Sequence, residues 1–195
     1  MSYIQHLSVD PVLAKLIKKF GELEIKSDPN LFEHVISSII SQQLSVKASD
    51  TIEKRFTKLF GDKFPKPKQI LKMDAEKIRE CGISYPKIGY IKGIAEAVDE
   101  GRLKIDDLPN LPDEEVLEEL IKLKGIGRWT GEMLLIFALG RQDIFSMGDL
   151  GLRNAISKLY GIDRDNLVEI EKITLKWSPY RSFASRYLWL SLDNI

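Results

Sequence analysis

Apolar residues recur at three- and four-residue spacing along almost the whole chain, and this periodicity restricts the fold more than any other feature of the sequence. It marks Pro11–Phe20, Leu31–Leu44, Val46–Phe60, Ile88–Val98, Glu114–Leu123, Trp129–Leu139, Leu150–Tyr160, Leu167–Trp177 and Tyr180–Leu192. A segment with that period can turn one apolar stripe to a core only as a helix. Strand-like alternation is absent. The breaks fall where proline, glycine or asparagine stands: Asp28-Pro29-Asn30, Phe64-Pro65-Lys66-Pro67, Gly82, Leu108-Pro109, Gly125-Ile126-Gly127, Gly148 and Ser178-Pro179. The expected fold class is all-α, a helical bundle with short connections. A chain of 195 residues suits a single domain in two lobes. One lobe is expected at about residues 28–106, the other at 107–195 together with the N-terminal segment.

Composition narrows the function classes. Hydrophobic content of 44% and charged content of 30% describe a soluble globular protein. No apolar run approaches the roughly 18 residues of a membrane span. Met1 to Asp10 lacks the basic-then-apolar layout of a signal peptide, so a cytoplasmic protein with no membrane partner is expected. The single cysteine, Cys81, excludes an intramolecular disulfide and a four-cysteine metal or cluster site, and it suits a reducing compartment. His6 and His34 are too far apart in sequence to suggest a metal site.

The net charge is +0, from 29 basic and 29 acidic residues. That number alone would argue against a nucleic-acid partner, but the distribution changes the argument. Ser84–Ala95, Leu120–Gly131 and Lys176–Tyr187 contain basic residues and no acid, among them Lys87, Lys92, Lys122, Lys124, Arg128, Lys176, Arg181 and Arg186. The acids concentrate elsewhere, as in Asp113–Glu119. A localised basic face can bind phosphates on a neutral protein; clustering on solvated faces is the plain alternative.

The most informative stretch runs from Leu120 to Met133. An amphipathic helix ends at Lys124, the turn Gly125-Ile126-Gly127 follows, and a second helix opens at once. The glycines leave no side chain between backbone and ligand, Ile126 can bury itself between the helices, and the opening helix offers free amides to a phosphate oxygen. Lys124 and Arg128 flank the turn. Such a hairpin grips a nucleic-acid backbone without reading its sequence. Asp149, 22 residues beyond Gly127, begins the helix that runs to Tyr160. By itself it reads as a helix N-cap. A capped aspartate is also held rigidly enough to face positive charge developing on a sugar, so the two readings are compatible.

In that order, Leu123-Lys124-Gly125-Ile126-Gly127-Arg128-Trp129-Thr130 and then Asp149 resemble the helix-hairpin-helix glycosylase superfamily. Three more segments resemble its 3-methyladenine DNA glycosylase II branch, the AlkA type. They are Ile39-Ile40-Ser41-Gln42-Gln43-Leu44-Ser45-Val46-Lys47-Ala48, Cys81-Gly82-Ile83-Ser84-Tyr85-Pro86-Lys87, and Lys176-Trp177-Ser178-Pro179-Tyr180-Arg181-Ser182-Phe183-Ala184. The likeness runs from about Asp10 to Leu192 and is to the compact members that lack an N-terminal α/β domain. It implies a two-lobed helical fold with duplex DNA across the cleft, acting as a monomer on alkylated purines of the 3-methyladenine type.

The resemblance also distributes roles. The lesion would be flipped out of the stack, with Gln43 filling the gap and Leu44 adjoining it; helix-capping polar residues beside a core leucine are the alternative for this segment. Asp149 would stabilise the oxocarbenium-like sugar and orient water. Trp129 and Trp189 match aromatic pocket positions, and Met133 and Leu150 replace other aromatics found there; core packing is the alternative for Trp189. Gly125, Gly127, Lys124, Arg128 and Thr130 of the hairpin, with Lys87 and Arg181 from two acid-free windows, form the expected DNA-binding set. The main-chain carbonyls of Leu123 and Ile126, with Ile121, would hold a K+ or Na+ ion; no other cofactor is expected. Strand-cleaving relatives carry a lysine two residues beyond the second glycine, and here that residue is Trp129, which implies monofunctional chemistry. A bifunctional glycosylase/lyase on the same fold and a non-catalytic helix-hairpin-helix DNA-binding module are the competing readings.

Overall fold

The computed structural model describes residues 2–193, and among them it contains helices and no strand. The α-helices are α1 (Tyr3–Leu7), α2 (Pro11–Phe20), α3 (Leu31–Ser41), α4 (Val46–Lys58), α5 (Pro67–Lys72), α6 (Ala75–Glu80), α7 (Tyr85–Asp99), α8 (Asp113–Ile121), α9 (Arg128–Phe137), α10 (Leu150–Tyr160), α11 (Leu167–Thr174) and α12 (Arg181–Asp193). Short 3-10 turns occupy Leu108–Asn110 and Leu175–Trp177. No helix among the described residues is long and apolar enough to cross a membrane.

The chain divides into two compact units, one of Met1–Ser27 with Leu135–Ile195 and the other of Asp28–Leu134. The division therefore falls at 134/135, inside α9, and not near residue 106. The hairpin segment belongs to the second unit because its apolar residues pack there. Val116, Leu117, Leu120 and Ile126 are buried, and Gly125 lies against Tyr90 and Ile39.

In the unit that holds both termini, α12 packs against α10 and α2. Leu13, Leu16, Leu152, Ile156, Trp177, Tyr187 and Leu188 form its core. One carboxylate joins three elements of this core. Asp10 caps α2 by accepting from the Val12 and Leu13 amides at 2.9 and 3.2 Å. Its other oxygen accepts from the Tyr160 hydroxyl at 2.9 Å and the Trp177 indole at 3.0 Å. Burial, with the Asp10 charge beside it, drives the Tyr160 hydroxyl far above its ordinary range, so it stays a donor.

In the other unit, α7 lies against α3, α5 and α6, and α3 also packs on α4. The buried face of α3 is Leu31, Val35, Ile36, Ile39 and Ile40, the spacing expected of one helical stripe. Helix α7 begins at Tyr85, one turn earlier than the apolar pattern suggests, because Pro86 is preorganised for a first turn. At its other end α3 stops at Ser41, before Leu44. Gln42 leaves the helix at φ −48°, ψ 130° and Gln43 sits at φ 59°.

Candidate active site and nucleic-acid interface

The two hairpin glycines have different reasons to be glycine. Gly125 has φ +93°, and a Cβ there would stand 2.6 Å from Tyr90 Cδ2 and 3.1 Å from Ile39 Cδ1. Its demand is internal. Gly127 lacks that unusual φ, and a Cβ on it would meet nothing within 4 Å. Its bare backbone faces open space at the start of α9, and its carbonyl accepts from the Gly131 amide at 3.0 Å. Ile126 is buried, as expected, and its amide donates to the Leu123 carbonyl at 3.1 Å.

Ser41 to Leu44 form a tight turn closed by the Leu44 amide on the Ser41 carbonyl at 3.1 Å. Gln43 takes the third position, which needs a positive φ and normally carries glycine. A residue with a Cβ costs about 1–2 kcal/mol in that conformation, so the turn carries local strain at Gln43. Beyond it, Leu44 is 39% and Val46 77% exposed, an apolar tip on the surface. Val46 carries no marker in the sequence beyond its place next to the turn.

Behind the turn lies a set of hydrogen bonds. Gln42 Nε2 donates to the Gly125 carbonyl at 2.8 Å. Lys87 Nζ donates to the Gln42 carbonyl at 2.7 Å and to the Ile40 carbonyl at 2.8 Å. Burial lowers the Lys87 pKa. The turn and the hairpin, with Trp129 and Met133, line a single cleft of about 540 Å³. Trp129 is 48% exposed and so offers a ring face, while Thr130 is buried in the cleft wall.

The other unit holds the carboxylate. Asp149 is the N-cap of α10 and is 8% exposed. Its Oδ1 accepts from the Leu152 amide at 2.7 Å and from the Trp189 indole N–H at 3.2 Å. Gly151 is tight here, since a Cβ would lie 3.0 Å from the same oxygen. Trp189, half-buried, packs at 5.7 Å against Phe137, whose ring is well exposed. Trp189 is thus not plain core, since its indole N–H engages the carboxylate. Phe137 was not singled out by the sequence, where it reads as another apolar residue of α9. Leu150, next to Asp149, is half exposed.

Several expected cations have intramolecular partners. Arg128 donates to Glu132 Oε1 at 3.0 Å and to Glu114 Oε1 at 3.2 Å. Arg181 makes a two-pronged contact with Asp143, at 2.8 and 3.1 Å, and Ser178 donates to the same carboxylate at 2.7 Å. Lys87 is held at the turn. Lys124, at the hairpin, is exposed. The acid-free windows are thus acid-free only along the sequence; the fold brings Glu114, Glu132 and Asp143 to them. Helix α8 ends at Ile121, and beyond it the Leu120 and Leu123 carbonyls accept from the Leu123 and Ile126 amides at 3.1 Å each. Neutral oxygen donors at the negative end of a helix suit a monovalent cation.

Residues 36–179 match the family described as HhH-GPD superfamily base excision DNA repair protein. The chain is 37% identical over 192 residues to the alkylbase DNA glycosidase-like protein mag2 of Schizosaccharomyces pombe, covering 95% of this chain and 90% of that one. It is similar to the crystal structure of a DNA-3-methyladenine glycosidase from Bacillus halodurans, with TM-score 0.87, 36% identity, and coverage of 100% of this chain and 90% of the other. It is also similar to S. pombe 3-methyladenine DNA glycosylase in complex with abasic DNA, with TM-score 0.86, 34% identity, and coverage of 99% and 97%. Among curated relatives at 32–37% identity, the share of their length spanned by the chain runs from 66% to 90%.

Proposed function

The chain belongs to the HhH-GPD superfamily of base excision DNA repair proteins, and from that premise we propose that it is a monofunctional DNA glycosylase excising alkylated purines of the 3-methyladenine type from duplex DNA. The observation that carries this reading is Asp149. A nearly buried carboxylate, fixed by the Leu152 amide and the Trp189 indole, is aimed by the fold and does not wander with solvent. The names of the relatives support the substrate class.

Alkylation at a ring nitrogen leaves the purine cationic and its glycosidic bond weak, so little acid catalysis is needed. The carboxylate stabilises the positive sugar that forms as the bond breaks and orients the attacking water. A preorganised charge does this without reorganising in the transition state. Before that, the nucleotide leaves the stack at a cost of a few kcal/mol, and Gln43 with Leu44 fills the gap. The exposed face of Trp129 receives the electron-poor base. The hairpin amides around Gly127, with Lys124 and Arg128, hold the backbone phosphate. Glu114 and Glu132 keep Arg128 oriented until phosphate competes for it.

Trp129 also stands where a Schiff-base lysine would be needed for strand cleavage. We further assign the carbonyls of Leu123, Ile126 and Ile121 to a K+ or Na+ ion at the hairpin, which when bound adds positive charge beside the phosphate. The protein would act as a monomer in the compartment that holds DNA, the cytoplasm or the nucleus. Incubation with methylated duplex DNA tests the reading. Free methylated base should be released while the strand stays intact until alkali is added. Methylated DNA that keeps all its bases would refute it.

A further inference from the structure

We propose that Gln42 and Lys87 form a brace locking the wedge turn to the hairpin, so that one rigid unit both fills the stack and grips the phosphate backbone. The inference rests on the glycosylase reading for its purpose, but the brace itself is a property of the protein. Three segments far apart in sequence meet in it. Lys87 opens α7, Ile40 and Gln42 end α3, and Gly125 is the hairpin turn.

A wedge must resist the bases that press back toward stacking. The Gln43 turn is poorly suited to that alone, because a non-glycine residue at φ 59° sits in a shallow well from which the chain is free to relax. Lys87 holds the turn from its incoming side. Its ammonium donates to two carbonyls that the end of α3 leaves without helical donors, and a positive charge there also suits the helix dipole. The Gln42 side chain holds the turn from the other side through the Gly125 carbonyl. That carbonyl shares a peptide plane with the Ile126 N–H, which donates to Leu123. Gln42 therefore also fixes the orientation of the hairpin peptide. Lys87 acts through this chain of bonds and is a positioning residue, with no phosphate of its own.

The test uses Lys87→Met, Gln42→Ala and the double variant, with three readouts. Amide exchange at Ile126 needs no DNA. Each single variant should speed it about tenfold and the double variant no further, the mark of one shared network. Product-like acceleration in the double variant, or an Ile126 amide unmoved by Lys87→Met, would overturn the brace. Flipping, read from 2-aminopurine placed beside a lesion analogue, should fall in the same non-additive way. Binding to undamaged duplex should keep the salt slope of the unmodified protein in Lys87→Met. A slope reduced by about one would make Lys87 a phosphate ligand and refute the assignment. An unmodified protein that neither flips nor releases base would overturn the glycosylase reading while amide exchange still decides the brace. If Lys87→Met unfolds, Gln42→Glu, which sets a carboxylate against the Gly125 carbonyl, must reproduce the Ile126 exchange effect.

Discussion

Replacing Trp189 separates its hydrogen bond from its ring. Trp189→Phe keeps an aromatic face against Phe137 and removes the N–H that lies 3.2 Å from Asp149 Oδ1, together with part of the ring volume. A hydrogen bond to a charged group is worth about 1.5–3 kcal/mol, and the length of this one places it at the low end. The carboxylate keeps the Leu152 amide, at 2.7 Å, so it is loosened and not released. About 1.4 kcal/mol of lost transition-state stabilisation is a tenfold loss in rate. Single-turnover excision should therefore fall about tenfold in Trp189→Phe, with lesion affinity nearly unchanged. Trp189→Ala should lose the same rate and, if the ring also stacks on the base, a further 1–3 kcal/mol or so of lesion binding. Excision by Trp189→Phe at the rate of the unmodified protein would show that the indole N–H does not position Asp149. A variant that loses affinity but not rate would return Trp189 to a purely base-stacking role.

The hairpin glycines should respond oppositely. Gly125→Ala forces a Cβ into the Tyr90 ring at φ +93° and should lower stability by about 2 kcal/mol, read as a drop in thermal midpoint. Gly127→Asp should leave the midpoint nearly unchanged and weaken damaged and undamaged duplex together. Borohydride should trap no covalent protein–DNA adduct, since Trp129 offers no amine; a trapped adduct would mean lyase chemistry. Burial pushes the Asp143 carboxyl up, but the hydrogen bonds from Arg181 and Ser178 more than reverse this and hold it below the ordinary range. A folded-state pKa that is depressed adds stability above the unfolded value, about 4, and that stability is lost as pH falls through the folded value. Asp143→Asn should lower the thermal midpoint at neutral pH and flatten its decline in acid; identical acid melting curves would refute a stabilising role for the Asp143–Arg181 pair.

The sequence carried α2 and α10 to the residue, because Asp10 and Asp149 cap them and glycines close them. It carried the hairpin for a similar reason: glycine, apolar and basic residues alternate in a local pattern that needs no distant partner. Helices α1, α5 and α6 escaped. Helices α5 and α6, at six residues each with one buried isoleucine, have no period to detect. The lobe boundary was misplaced because no punctuation marks Leu134, which lies in mid-helix. The largest gap concerns partners. Lys87 and Arg181 read as free cations along the chain, yet the carbonyls and carboxylate that engage them lie 38 to 47 residues away. The Trp189 bond to Asp149 spans 40 residues and was hidden for the same reason.

The most direct test of the account sets Asp149→Asn beside the unmodified protein on methylated duplex DNA, measuring free-base release and duplex affinity in the same preparation. Asparagine keeps the cap through its side-chain oxygen, so folding and the Leu152 bond should survive. The unmodified protein should release base, and Asp149→Asn should release none while binding the damaged duplex as tightly or more tightly. Base release by Asp149→Asn at a rate near that of the unmodified protein would contradict the assignment of this carboxylate to the chemistry.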